Sequence, residues 1–299
     1  MAKMLSRVAP WLASHKEDAA PAGISVRTLA GGDTAALRRL ASQDPVANVF
    51  ILAHLRAAGS AAPTSGGAGV LGVFDDGILA GACWAGANLV PVQLDPEFAG
   101  IVAAAASTSG RRFASAFGPA DAVLALHAEL AELGHAAHEV RDEQPLMTLC
   151  GPPLVEPNAD LGLGRLADFD RILPACAAMF EEEVGYSPFL GGKEFYSRRV
   201  EGLIRQGHSL AHVNESGDVV FKAELGAVTA DVTQIQGVWM NPGYRGQGLS
   251  AGYMAAVVEK ARTLAPVTSL YVNGFNLRAR STYERVGFRQ VGTFATVLF

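Results

Sequence analysis

Cysteine is scarce. Cys83, Cys150 and Cys176 lie far apart in a chain of 299 residues. Their number and spacing give neither a disulfide framework nor a metal cluster, and they read as small buried apolar side chains in a reducing cytoplasm. His135 and His138 have no partner ligands in sequence, so no metal is expected. Positive charge is short as well. Lys and Arg number 24 against 29 Asp and Glu, a formal net charge of -5. This argues against nucleic acid as partner, because duplex binding needs concentrated positive charge. No run of roughly 18 apolar residues exists, so no membrane association is expected. Met1 to Ala20 carries Lys3 and Arg7, but charge breaks its apolar stretch and it lacks a cleavage-like end. It reads as a tail, residues 1–23, with a short amphipathic helix from Met4 to Leu12, and not as a signal peptide. Tyrosine is missing from the first half: all six lie between Tyr186 and Tyr283.

What is present suffices for a sizeable core, with 49% of residues apolar and 18% charged. Ile24 to Leu29 alternates like a strand, and Thr34 to Leu40 has helical spacing behind Asp33 as N-cap. Gly59 to Gly69 is a loop. Val70–Phe74 and Ile78–Trp84 flank Asp75-Asp76-Gly77, a hairpin with a tight turn. A strand at Leu89–Leu94, a helix at Phe98–Ala106, a strand at Phe113–Phe117 and a helix at Asp121–Leu133 follow. The Gly and Pro residues between Leu146 and Asp160 mark a domain boundary, dividing 24–150 from 160–299.

The second half repeats this order. Leu161–Leu166 is a strand, and Asp170–Glu183 and Lys193–Gln206 are helices. Ser209–Val213 and Asp218–Glu224 form a hairpin. A strand at Val232–Met240, a helix at Leu249–Leu264, a strand at Ser269–Val272, a helix at Arg278–Val286 and strand material at Gln290–Phe299 complete it. Leu29-Ala30-x-x-Asp33 matches Leu166-Ala167-x-x-Asp170, and Leu94-Asp95-Pro96 matches Met240-Asn241-Pro242. With the shared order, these short matches suggest a duplicated unit.

The informative segment runs from Val238 to Ser250. A strand ends at Met240, Asn241 to Tyr244 turns, and a helix starts near Gly248. Small residues at a helix N-terminus let an anion approach unpaired N–H groups. The Rossmann pattern fails for want of a third glycine, and the P-loop pattern fails without its Gly-Lys-Ser/Thr end. Arg245-x-x-Gly248-x-Ser250 instead resembles the acetyl-CoA pyrophosphate loop of the GNAT N-acetyltransferase superfamily. Asn276-x-x-Ala279-x-x-x-Tyr283, with Gly287-Phe288 after it, resembles that family's last helix. The resemblance covers about the C-terminal 135 residues. The whole chain is also similar to actinobacterial proteins that fuse an uncharacterised N-terminal domain to a GNAT domain.

The resemblance implies an α/β fold on a mixed sheet, with tandem GNAT-like domains of which the first, 24–150, is degenerate. Acetyl-CoA would be the acyl donor, and a primary amine on a small molecule or protein the acceptor. Arg245, Gly246, Gln247, Gly248, Leu249 and Ser250 would hold the pyrophosphate. Val238, Trp239 and Met240 would line the pantetheine path, with Asn276 touching that arm and Arg278 or Arg280 the 3′-phosphate. Tyr283 would protonate the leaving thiolate. The family's usual glutamate on the strand before the loop is absent, Gln234 and Gln236 standing there instead. Glu224, His212 and Glu183 remain as bases, with Glu224 taken as the catalytic one. Glu183 and Tyr186 fall where the acceptor-covering loop lies. Aligning the two Asp/Asn-Pro turns puts Ala99 opposite Arg245 and Val102 opposite Gly248, so the first copy should bind no CoA. A monomer or homodimer in the cytoplasm is expected. The missing strand glutamate leaves open an acyl-CoA-binding regulatory module with weak catalysis. A third reading, an aminoacyl transferase using charged tRNA, fits the acidic balance and intact CoA loop poorly.

Overall fold

The computed structural model describes residues 23–190 and 192–299. The expected Met4–Leu12 helix lies outside them. The elements are β1 (Ile24–Thr28), α1 (Thr34–Ala41), α2 (Val49–Ala58), β2 (Gly69–Asp75), β3 (Ile78–Ala85), β4 (Asn88–Val92), α3 (Ala99–Thr108), β5 (Ser115–Pro119), α4 (Ala120–Glu132) and β6 (Glu139–Cys150) in the first half. The second half has β7 (Gly162–Leu163), α5 (Phe169–Val184), α6 (Lys193–Arg205), β8 (Ser209–Val213), β9 (Val219–Val228), β10 (Val232–Met240), α7 (Ser250–Ala261), β11 (Val267–Tyr271), α8 (Leu277–Val286) and β12 (Arg289–Leu298). Both halves therefore follow one sequence of strand, two helices, three strands, helix, strand, helix, strand.

The twelve strands of the described residues join one mixed sheet in the order β1-β2-β3-β4-β5-β12-β6-β11-β10-β9-β8-β7. Exchanging each strand of the first half for its counterpart in the second reverses this order onto itself. In each half the parallel pair joins the fourth strand to the fifth, β4 to β5 and β10 to β11. The two last strands are exchanged: β12 pairs with β5, and β6 pairs with β11. Packing follows the exchange. Ala295 and Val297 of β12 are buried with Leu89, Val102 and Leu126 of the first half. Met147 and Leu149 of β6 are buried with Phe221, Met254 and Val257 of the second. Burying a Val, Leu or Met side chain contributes about 1.5–3 kcal/mol, so three of these side chains bind the halves by several kcal/mol. Among the described residues no helix is long and apolar enough to cross a membrane.

Several expectations shift. The hairpin turn forms as read, with Asp76 at φ 46° and Gly77 at φ 80°, the two left-handed residues a type I′ turn needs. Helix α2 has no periodic stripe in sequence because both its sides are covered, Leu55 within the first half and Val49 against Ala227 and Val232 of the second. Strand β6 begins seven residues before the Leu146–Asp160 segment read as a boundary; its charged start and Pro145 hide it. The repeat match at Asp170 is two residues out. Asp33 corresponds to Asp168, each the last residue of a short 3-10 turn that leads into the first helix. Cys150 is exposed rather than buried.

Candidate active site

Strand β10 runs beside β11 only from Val232↔Val267 to Gln234↔Ser269. Beyond Gln234 its register against β9 slips twice, with Gly237 at φ 56° in the second slip. Such bulges bend a strand. Here β10 leaves β11, and among the described residues its edge from Ile235 to Met240 has no strand partner on that side. This wedge is the candidate site. Val238 lies on the free stretch. The Trp239 indole donates to Glu182 Oε1 at 3.1 Å. The Met240 carbonyl is already taken, accepting from Arg245 Nε at 2.8 Å.

The loop at the head of the wedge is pinned from below. Asn241 accepts from the Gly243 N–H at 3.0 Å and donates to the Val219 carbonyl at 3.1 Å. Arg245 Nη2 reaches both carboxylate oxygens of Glu182, at 2.9 and 2.8 Å. Gln247 donates to the Gly243 carbonyl at 3.1 Å. Gly246 and Gly248 stand at φ 78° and 77°, and a Cβ on either would meet nothing within 4 Å. Left-handed backbone at these two positions favours glycine, and the space beyond them is open. The N–H groups of Gly246, Gln247, Gly248 and Leu249 donate to no acceptor among the described residues. They lead directly into α7 at Ser250. Unpaired amides in alternating backbone hands at a helix start form a concave donor set that suits a diphosphate.

Helix α8 forms the opposite wall. Asn276 caps it, accepting from the Ala279 N–H at 3.1 Å. Arg280 donates to the Gly274 carbonyl at 3.0 Å, while Arg278 is exposed. Tyr283 faces inward, 8% exposed, with its ring edge-on to Phe288. Burial, and then the charge of Glu183, raise its pKa, so the phenol stays protonated.

The three candidate bases differ sharply. Glu224 is 1% exposed and saturated: Lys222 Nζ lies at 2.6 Å, Arg199 Nη2 at 3.2 Å and Gln236 Nε2 at 3.4 Å. Burial alone would push its carboxyl up, but Lys222 and then Arg199 outweigh this and hold it below the ordinary range. That argues against it as base. The His212 ring is tied to the Tyr253 hydroxyl. Glu183 lies in the last turn of α5 and is exposed. Loss of hydration raises its pKa; Lys222 and Arg141 oppose that, and Glu224 and Glu182 add to it. Tyr186, 44% exposed, packs edge-on against Phe180. Sequence reasoning missed Lys222, Arg199 and Arg141.

With this geometry in view, residues 177–288 match the model of the acetyltransferase (GNAT) family. The match places a GNAT domain in the C-terminal part of the chain and supports a transferase. Residues 68–172 match a domain of unknown function, DUF4081. No curated protein matches the chain. Solved structures share the whole fold. A GNAT-family acetyltransferase from Colwellia psychrerythraea superposes with a TM-score of 0.58 at 13% identity, covering 92% of this chain and 99% of its own. A GCN5-related N-acetyltransferase from Sphaerobacter thermophilus gives 0.60 at 18%, covering 93% and 95%. A tandem GNAT protein from the clavulanic acid biosynthesis pathway gives 0.52 at 14%, covering 91% and 98%. The tandem GNAT-like architecture on a mixed sheet is thus shown.

The first GNAT-like half keeps the turn but not the loop. Asp95 accepts from the Glu97 N–H at 3.0 Å, as Asn241 does from Gly243. Pro96–Phe98 then passes straight into α3 at Ala99. The residues from Arg245 to Leu249 have no counterpart. The pairing of Ala99 with Arg245 and of Val102 with Gly248 is therefore corrected: Val102 is a buried residue inside α3. The copy lacks the donor set because the segment is missing, not because a side chain fills it.

Proposed function

We propose that the protein transfers the acetyl group of acetyl-CoA to a primary amine, on a small molecule or a protein, by direct attack on the thioester. The observation that carries this is the unpartnered donor set from Gly246 to Leu249, at the head of the wedge where β10 leaves β11. The pyrophosphate would sit on those amides and on the α7 start at Ser250. The pantetheine would run along Val238 toward Tyr283, passing the free amide of Asn276, with Arg278 left for the 3′-phosphate. Glu183 takes the proton from the amine, whose nitrogen forms the new bond to the acetyl carbon. The carbon–sulfur bond breaks, and Tyr283 gives its proton to the departing thiolate. The proton held by Glu183 then restores the phenol by way of solvent, so the balance is amine plus thioester to amide plus thiol. A carboxyl with a raised pKa and a phenol that resists ionisation suit these two tasks. Glu224 then serves as the anchored neighbour of Lys222 rather than as base. Tyr186 would border the acceptor. The reducing cytoplasm fits three free thiols, with the chain acting as monomer or homodimer.

Tyr283→Phe is the test. It keeps the ring and removes the proton. Turnover of acetyl-CoA over an amine panel should fall roughly 10²-fold, the scale of a positioned acid, with CoA affinity unchanged. Wild-type turnover would leave Tyr283 a packing residue. CoA binding with no turnover on any amine would favour the regulatory acyl-CoA-binding module.

A further inference from the structure

We infer that Arg141, on the strand the first half lends to the second, is a positioning residue for acetyl transfer that fixes Glu183. The inference rests on the reading of Glu183 as base. Strand β6 lies between β11 and β12, and Arg141 stands opposite Thr296, where the β6–β12 register slips. Its guanidinium is locked in plane by Glu139, with Nε at 2.7 Å from one carboxylate oxygen and Nη2 at 3.0 Å from the other. The side chain is only 13% exposed. Nη2 also donates to the backbone carbonyl of Glu183. That carbonyl lies in the last turn of α5, where helix carbonyls lack intrahelical partners and a cation is favoured. One rigid, bidentate group thus ties the backbone of Glu183 to the central sheet and places a fixed positive charge near its carboxyl.

The same strand holds the opposite wall. Gln144, buried, donates to Asn273 at 2.7 Å and accepts from the Thr296 hydroxyl at 2.7 Å. The Gly274 N–H donates to the Glu143 carbonyl at 2.8 Å, and a Cβ on Gly274 would sit 2.7 Å from that oxygen. Residues 141–144 of β6 therefore set the α5 end on one side and the turn into α8 on the other. Glu183 is faced by Arg141 from β6, Lys222 and Glu224 from β9, Glu182 from its own helix, Tyr196 from α6, Tyr271 from β11 and Tyr283 from α8. Lys222 is bound to Glu224, which leaves Arg141 as the cation fixed on the Glu183 backbone.

The test uses the full chain with Arg141→Gln, Arg141→Lys and Glu183→Gln. The Glu183 carboxyl is followed by ¹³C NMR titration, assigned by its loss in Glu183→Gln. Arg141→Gln should move that titration to higher pH, and Arg141→Lys should keep it near the wild-type position. With an amine that the wild type acetylates, kcat should fall about tenfold or more in both Arg141 variants, because positioning is lost. The KM for acetyl-CoA should hold, and the acid limb of the pH profile should follow the titration. An unmoved titration and wild-type kcat in Arg141→Gln would overturn the inference. Should that variant not fold, wild-type kcat in Arg141→Lys would overturn it. An acid limb that survives in Glu183→Gln would instead refute Glu183 as base.

Discussion

Lys222 and Glu224 are each 1% exposed, and their charges meet at 2.6 Å with Cys176 Sγ at 3.4 Å from the amine. Burial pulls the Lys222 pKa down, but Glu224 and then Cys176 outweigh this and raise it. The Glu224 carboxyl is lowered for the matching reason. The signs define a window. The Glu224 contribution is present above the unfolded carboxylate pKa and fades as pH falls through the lowered folded value. The Lys222 contribution is present below the unfolded lysine pKa and fades as pH rises through the raised folded value. Removing Glu224 strands Lys222, whereas Glu224 without Lys222 still keeps Arg199. Glu224→Leu should cost about 3–5 kcal/mol at pH 7 in denaturant melts. Lys222→Met with Glu224→Leu should cost less, since no buried charge is left over. A single variant as stable as wild type would mean that water reaches the pair. A signal for this pair did exist in the sequence: charges two apart in the apolar run Val219 to Leu225 share one face of a strand. Arg199 and Arg141 gave none, because they lie 25 and 42 residues from their partners Glu224 and Glu183, and only the fold brings them together.

At the scale of elements, the proposed binding of CoA rests on the Arg245–Leu249 loop. Gly248→Val puts a β-branched residue at φ 77°, a conformation it disfavours, and a side chain into the space an anion needs. Calorimetry should show CoA affinity at least tenfold weaker in the folded variant, roughly 1.4 kcal/mol or more. The wild type should take one equivalent per chain, given that α3 follows its turn without a loop; two equivalents would refute the one-site reading. This loop was legible because glycines in a strand-to-helix turn have a conformational reason. So was the hairpin at Asp76-Gly77. Helix α2 was not, since a helix covered on both sides shows no stripe. Strand β6 was not either: a central strand rarely carries a proline, and Pro145 is tolerated here because the β6–β11 ladder ends at Leu146↔Tyr271, so its missing N–H costs no internal rung. Strand β7 shrank to two residues because only Gly162 and Leu163 meet β8.

For the whole molecule, the exchange of last strands makes each half incomplete. Residues 160–299 alone would leave one edge of β11 and both edges of β12 without their partners and remove Met147 and Leu149 from the core. Bare edges of that kind aggregate. That fragment should fail to give a soluble, cooperatively melting domain, while co-expression with residues 24–159 should restore a complex that co-purifies. A soluble lone fragment with a sharp melt would mean the second half closes its own sheet in another way. The division near residue 150 is thus a division of sequence, and the exchange that crosses it left no mark in composition or spacing.

The exchange also sets an order in time. A ribosome delivers β5 and β6 long before β12, which follows every other described element. At about 5–20 residues per second the first half waits on the order of ten seconds for the strand that closes it. During that wait the outer edge of β5 and both edges of β6 are open to any passing strand. Nascent chains on one message, each holding the same unmet edges, are the nearest candidates. The short β5 and the charged start of β6, Glu139 to Glu143, are features that discourage such pairing until the chain's own β12 arrives.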